Sequence, residues 1–320
     1  MDNLHKTKQN LFITGASGFL GSNLIRFLAP FCNLSLQYHQ TDINYMAGEK
    51  LRIDLTSEKE VKTAASSGKF DFVVHLAALT SVDECEKDKS YASKINIEGT
   101  RNIINYFNDK NIPVLFISTD LVFDGTKGNY SENDPVNPVN YYSETKIMAE
   151  NIVLGTMSEN AIFRIALSYG KSFAGAKGGY LDNLLQSLAV AKQQYLFHDQ
   201  FRTPLYSFDF CTAVKKLVER KIQRRAECQS KIYHIGGKEK VSRFELGIKT
   251  CEIFEIDNSL IKPSSMQHSG YTATRGADCS LNISLASKEL DFQPESINDN
   301  LKKDKNIRKE ELKNANLNSH

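Results

Sequence analysis

Long apolar runs are missing from this sequence. Runs such as Pro113 to Ile117 fall far short of the ~20 residues that a membrane-spanning helix needs, and no membrane partner is expected. The opening residues MDNLHKTKQN are polar and carry no apolar stretch of the secretory kind, so a cytoplasmic location is the expectation. Paired cysteines are missing too. The six, at 32, 85, 211, 228, 251 and 279, form no CxxC pair and fit no structural zinc spacing. A chain of this length needs no disulfide staples, and reduced thiols are expected. The seven histidines form no ligand cluster, so no metal is assigned. Nor does one sign of charge dominate: 40 Lys+Arg face 38 Asp+Glu, a formal +2. Six of those cations and three of those acids lie in Leu301 to His320, leaving 34 against 35 in the body. A basic end of this kind is ordinarily solvated, and residues 301–320 are expected to form a flexible tail. With no basic face in the body, no nucleic-acid partner is expected. Internal repeats and low-complexity tracts are also absent.

What is present is ordinary globular composition, 41% hydrophobic and 24% charged in 320 residues. That length suits one large α/β domain or two sharing a cleft. The first half alternates short apolar runs with amphipathic stretches, as βαβ units do. Strands are expected at Leu11–Ile13, Leu34–Tyr38, Leu51–Ile53, Phe70–Leu76, Pro113–Ile117 and Ala161–Leu167. Helices are expected at Leu20–Leu28, Ser57–Ser66, Ala92–Asn108 and Ser143–Leu154. Continuous Val/Ile/Phe runs suit strands covered on both faces. From Asp124 to Tyr141 the chain is rich in Gly, Asn, Asp and Pro and reads as a long functional loop. Beyond residue 170 the alternation weakens, apart from a helix near Tyr180 to Lys192. The expected architecture is α/β: a Rossmann-type, doubly wound parallel sheet over about residues 1–170, open to recruiting later segments, with a smaller C-terminal α/β substrate-binding region over 171–300.

Thr14-Gly15-Ala16-Ser17-Gly18-Phe19-Leu20-Gly21 follows the first strand and opens the first helix. Its glycines permit a tight turn and a close approach of backbone to a diphosphate, which the positive end of the helix dipole favours. The spacing is GxxGxxG, not the GxGxxG fingerprint, and three glycines alone are a weak signal. Placed between a strand and a helix they point to dinucleotide binding by Gly15, Ser17, Gly18, Phe19 and Leu20. An acid about 20 residues past the loop would hold the ribose hydroxyls of NAD. Tyr38 and His39 stand there instead, and Asp42 comes slightly late. No Arg stands there for a 2′-phosphate, although His39 and Gln40 offer donors. NADP is the expected cofactor and NAD the alternative. Asp54, with Leu55 beside it, is placed to meet the adenine amino group.

Tyr142-Ser143-Glu144-Thr145-Lys146 sets a phenol and an amine at i and i+4, on one helix face. Alone this is as common as any surface helix pair. Downstream of a glycine loop, and with Ser118-Thr119-Asp120 ending a strand, it reads as an acid–base site: an ammonium lowers a phenol's pKa from about 10, and the Thr119 hydroxyl is placed to polarise a carbonyl. Tyr141 is the competing phenol, at the wrong spacing to Lys146.

These segments, with VHLAALTSVDECE, STDLVFDGTKGNYSENDPVNP, FRIALSYG, DQFRTPLYSFDF, YHIGG, SRFELG and RGADCSLNIS, resemble the extended short-chain dehydrogenase/reductase family over about residues 10 to 300. Within it the similarity is to the dTDP-4-dehydrorhamnose reductase branch. The resemblance implies a nucleotide-linked 4-keto-6-deoxy sugar as substrate and Thr119, Tyr142 and Lys146 as the catalytic triad. Tyr142 protonates the keto oxygen, Lys146 also holds the nicotinamide ribose, and Thr119 orients the carbonyl. It further implies Ala77 and Ala78 along the cofactor, Asn96 as a support, Thr80 and Val82 beside the sugar, Arg202 and Arg275 on the diphosphate, and a homodimer as one possible assembly. Three positions depart from the family pattern: Leu121 where a Tyr is common, Ser143 for a Gly, and Gly276 for a Pro. Leu121 also stands where the 4,6-dehydratases carry an acid. An epimerase on the same fold, and a non-catalytic NADP-binding subunit resembling the regulatory subunit of methionine adenosyltransferase, remain the rival readings.

Overall fold

A computed structural model describes residues 8–317 other than 44–46, 67, 157, 174–175, 177, 224–229, 269 and 271; the polar residues 1–7 and Cys228 lie outside that set. Seven strands form one sheet: β1 (Gln9–Thr14), β2 (Cys32–Tyr38), β3 (Glu49–Arg52), β4 (Phe72–His75), β5 (Val114–Thr119), β6 (Ala161–Ile165) and, from far down the chain, β11 (Lys231–Ile235). Their order is β11-β6-β5-β4-β1-β2-β3, and every pairing is parallel. The order reverses between β1 and β4, which opens a crevice at the carboxyl ends of the strands.

Successive strand residues point to opposite faces, so each strand feeds two cores. Leu11 and Ile13 join Leu36, Val74, Leu115 and Phe163 on one face. That face is covered by α1 (Phe19–Leu28), α8 (Ser207–Gln223) and α10 (Ser284–Leu290). Phe12 points the other way, to Phe70 and Phe107 at ring distances of 5.3 and 5.5 Å. Here α2 (Glu58–Ser66), α5 (Gly99–Asn108) and α6 (Tyr141–Leu154) close the layer. Burying each such Leu, Ile or Phe contributes about 1.5–3 kcal/mol, and cover on both faces explains the unbroken apolar runs of β4 and β5.

The remaining chain builds a second region on the carboxyl side of the sheet. Three short pairs hold it: β7 (Ser168–Tyr169) beside β10 (Leu205–Tyr206), β8 (Gln194–Phe197) beside β13 (Ile261–Ser264), and β9 (Phe201–Arg202) antiparallel to β12 (Val241–Ser242). The helices α7 (Tyr180–Ala189), α9 (Arg243–Phe254) and α11 (Ile297–Leu317) pack around them. Residues after 170 therefore serve both regions, since β11, α8 and α10 return to the main sheet. No helix among the described residues is long and apolar enough to cross a membrane.

Two expectations are corrected. The single helix over Ala92–Asn108 is three pieces: α4 (Lys89–Ser93), a π turn over Lys94–Glu98, and α5. The wide turn carries buried Asn96, whose amide bonds the Leu79 N–H (2.8 Å), the Leu79 carbonyl (3.1 Å) and the Thr145 hydroxyl (3.0 Å). Single π turns of this kind often mark functional sites. The flexible tail from Leu301 is instead the body of α11, with Leu301 and Asp304 fully buried. Two of the cations that made it read as solvated are tied to other helices. Arg308 pairs with Asp304 (2.5 Å) and with Asp182 of α7 (2.7 Å), and Lys305 donates to the Ile253 carbonyl of α9 (2.7 Å). Glu311 reaches Arg26 of α1 at 3.4 Å and Lys171 at 3.0 Å.

Candidate active site

A cavity of about 810 Å³ runs along the carboxyl edge of the sheet, and every site residue named from the sequence lines it, apart from the supporting Asn96. At one end β1 delivers the chain into Gly15, whose φ is +65°. A Cβ there would sit 2.7 Å from the Ala77 backbone nitrogen, so both the conformation and the space demand glycine. The turn is tied down by buried Gln37, absent from the sequence reading. Its side chain accepts from the Gly15 N–H (2.9 Å) and donates to the Ile53 carbonyl (2.7 Å), linking the loop to β2 and the end of β3. Gly18 precedes α1 and supplies no side-chain cap, so the first amides of α1 stay open at the positive end of its dipole. This is a fitting cradle for a diphosphate.

Further along this end lie His39, Gln40, Asp54 and Leu55. Burial alone would raise the Asp54 carboxyl, but the Thr56 hydroxyl (2.8 Å) and N–H (2.9 Å) hydrogen-bond its Oδ1 and bring it below its ordinary value. The sequence shows no arginine at the end of β2, yet the fold brings one. Arg52 is the register partner of Tyr38, and its Nε donates to the His39 carbonyl at 3.2 Å. No carboxylate pairs with it among the described residues. Asp42, the late acid, bonds the N–H of its neighbour Ile43 (2.7 Å).

Mid-cavity, Thr119 ends β5, and Tyr142 and Lys146 project from the first turns of α6. Asn140 caps that helix by accepting from the Ser143 N–H (2.9 Å) and hydroxyl (2.8 Å), which gives the Ser143 departure a structural role. Tyr142 and Lys146 are 8% and 3% exposed. The expected lowering of the phenol is reversed: burial first, then the charge of Asp120, push Tyr142 well above its ordinary value, although the Thr119 hydroxyl beside it pulls down. Lys146 goes the other way, lowered by burial to about 7. Its Nζ donates to the Ile117 carbonyl (2.6 Å) and sits 4.0 Å over the Phe116 ring. Thr119 donates to Asp120 Oδ1 at 3.2 Å.

At the other end the two expected diphosphate arginines are committed elsewhere. Arg202 is buried, its Nε 3.3 Å from Asp120 Oδ2, and its other nitrogens donate to the carbonyls of Phe201 (2.6 Å) and Gly276 (3.0 Å). Gly276 itself packs closely on the loop after β5, where a Cβ would meet the Asp124 carbonyl oxygen at 2.5 Å. Arg275 makes a two-pronged pair with Asp83 of α3 (Val82–Lys87), at 2.8 and 3.4 Å. That pair holds the Asp83 carboxyl down to about 2. Thr80, Val82 and Leu121 line the wall between. The sequence reading missed Arg243 and Gln200, which also face the cavity. Arg243 opens α9 behind a Ser242–Glu245 capping box, donates to Gln200 Oε1 (2.7 Å) and lies 5.4 Å over the Tyr180 ring. A basic residue just after the cap of α9 was the available signal, without a way to know where that helix begins.

Known proteins resemble this chain in sequence and in fold. A probable low-salt glycan biosynthesis reductase, Agl14, of Haloferax volcanii is 28% identical over 91% of this chain and 95% of its own. Methionine adenosyltransferase 2 subunit beta of Xenopus laevis is 28% identical over 85% of this chain and 80% of its own. The crystal structure of dTDP-4-dehydrorhamnose reductase from Bacillus anthracis in complex with NADP superposes with a TM-score of 0.81, at 23% identity, over 93% of this chain and 99% of that one. The family described as RmlD substrate binding domain matches residues 9–306. The chain thus belongs to that family, in the dTDP-4-dehydrorhamnose reductase branch of the extended short-chain dehydrogenases/reductases.

Proposed function

We propose that the chain is a reductase of a nucleotide-linked 4-keto-6-deoxy sugar, using NADPH in preference to NADH. The observation that carries this reading is the hydroxyl–phenol–amine set of Thr119, Tyr142 and Lys146 opening onto the cavity that holds the glycine cradle. The Gly15 turn and the open amides of α1 fit a dinucleotide diphosphate, with Ala77 and Ala78 along its course. A bound reduced nicotinamide supplies hydride to the carbonyl carbon. Tyr142, held protonated by burial, gives its proton to the keto oxygen, and Thr119 orients that oxygen. Lys146 holds the ribose and places positive charge beside the phenol as its proton leaves. Leu121 removes the acid that water elimination needs, which disfavours a dehydratase.

The preference for NADPH rests on the absence of an acid at the end of β2 together with Arg52 and His39. Arg52→Ala is expected to weaken NADPH about tenfold and leave NADH unchanged, read by calorimetric titration of both. For the sugar end, Arg243 and Gln200, bonded to each other on the cavity wall, are the diphosphate ligands we favour.

A second reading, a cofactor-binding regulatory subunit, draws on the similarity to the beta subunit of methionine adenosyltransferase 2 and on the Lys146 ammonium being turned to a backbone carbonyl. NADPH consumption with a panel of 4-keto nucleotide sugars separates the two. Turnover of one member supports the reductase; tight NADPH binding with no turnover of any supports the regulatory subunit. Conversion of a sugar without net NADPH loss supports an epimerase.

A further inference from the structure

Below the catalytic residues lies a buried charge cluster that the proposed chemistry does not use. Ser118 and Arg164 are register partners on β5 and β6, and both point toward α6. There one carboxylate takes them together. Glu150 accepts from the Ser118 hydroxyl at 2.5 Å and from Arg164 Nε and Nη2 at 3.0 and 2.7 Å. The two ionic side chains are 3% and 5% exposed. Glu150 stands one helical turn beyond Lys146 and two beyond Tyr142, on the same face of α6. Thr119, the residue after Ser118, lines the cavity beside Tyr142 and Lys146.

We propose that Glu150 is a positioning residue for the site. By gripping adjacent residues of β5 and β6, it fixes the height and rotation of α6 over Thr119, and it supplies a counter-charge that favours the ammonium form of Lys146. This deepens the reductase reading and rests on its assignment of Lys146. A buried pair of this kind adds little net stability over apolar residues of the same size, so its use is better sought in geometry and electrostatics. Around Lys146 the groups that bear on its charge are Glu150, which favours the ammonium, and Cys85 of α3. His75 of β4 is buried and uncharged at neutral pH, held down to about 3 by burial and by Lys146 itself. Tyr142 is a neutral phenol, and Arg164 is spent on Glu150. Glu150 is therefore the carboxylate that favours the Lys146 ammonium against the effect of burial.

The test reads Lys146 directly, so that it does not depend on any dinucleotide or sugar being bound. The full chain is labelled with carbon-13 at lysine Cε, the Lys146 signal is assigned by its loss in Lys146→Arg, and its titration is followed by NMR. In the parent the midpoint is expected near 7. Glu150→Gln keeps an acceptor for Ser118 but removes the charge, and should lower the midpoint by about one unit, a tenfold change. Arg164→Gln frees the carboxylate from its other partner and should leave the midpoint where it is or raise it. Because Glu150→Gln strands a buried guanidinium, Glu150→Gln/Arg164→Gln provides a folded alternative and should also titrate low. Midpoints in Glu150→Gln and the double variant equal to the parent's would overturn the proposal. Separately, the pH dependence of NADPH affinity should follow the same midpoints. If the Lys146 titration moves as described and no dinucleotide binds, the reductase reading fails while the role of Glu150 stands.

Discussion

At one end of the cavity the ligand surface is backbone: the Gly15 turn, the open amides of α1 and the chain at Ala77. At the other it is side chains from four separate places, Arg202 on β9, Arg243 on α9, Arg275 before α10, and Thr80 and Val82 around the start of α3. The first kind of surface is fixed by conformation and tolerates change around it, since diphosphates are alike. The second kind is fixed by pairing. Two of its three arginines are held by Asp120 and Asp83, so their charge is internal to the protein. On the function proposed, one fold can thus keep its cofactor end while the end proposed for the sugar varies through a few ion pairs.

Four substitutions would break or sharpen this contrast. Tyr142→Phe, between the two ends, should lower kcat about 10²-fold or more with NADPH affinity unchanged, and an undiminished rate would remove the phenol from the chemistry. At the side-chain end, Arg202→Met strands the buried Asp120 carboxylate and should cost about 3–5 kcal/mol in chemical denaturation. At the backbone end, Gly15→Ala places a Cβ against Ala77 at a positive φ and should cost roughly 1–3 kcal/mol, with a loss of dinucleotide affinity that Arg202→Met does not share. The smallest effect belongs to Arg275→Met. Asp83 is 37% exposed, so the pair contributes at most about 1 kcal/mol near neutrality. Its sign with pH is set by the depressed Asp83 carboxyl. The contribution is present above the unfolded value near 4 and fades as pH falls toward 2. Thermal midpoints of the parent and Arg275→Met should therefore converge as the solution is acidified from pH 6.

The same contrast decided what could be read from the sequence. The glycine loop and the Tyr142–Lys146 pair are contiguous, and their chemistry follows from local spacing within one turn or one helix. The central strands of the sheet were legible because they are apolar on both faces, whereas β11, far down the chain, was not read as a strand. Arg52 was not, since its place beside His39 depends on the β2–β3 register. Arg202 could be named but not its partner, because Asp120 is 82 residues away and only burial brings the two charges together. The direction of the Tyr142 shift was missed for a related reason. Spacing revealed the ammonium, while the desolvation and the Asp120 charge that outweigh it belong to the folded chain. The end of the chain was misread because α11 is polar in composition, and its cations find their partners on α7 and α9.

The contact of Glu311 with Arg26 spans 285 positions. A chain emerging from the ribosome at about 5–20 residues per second makes its first helix roughly 15 to 60 seconds before the residue that meets it. Through that interval the glycine loop and much of the sheet can assemble, but α7 and α9 lack the helix that fastens them. The region around α7 and α9 is therefore expected to be fastened last, after the Gly15 turn and the helix it opens have formed.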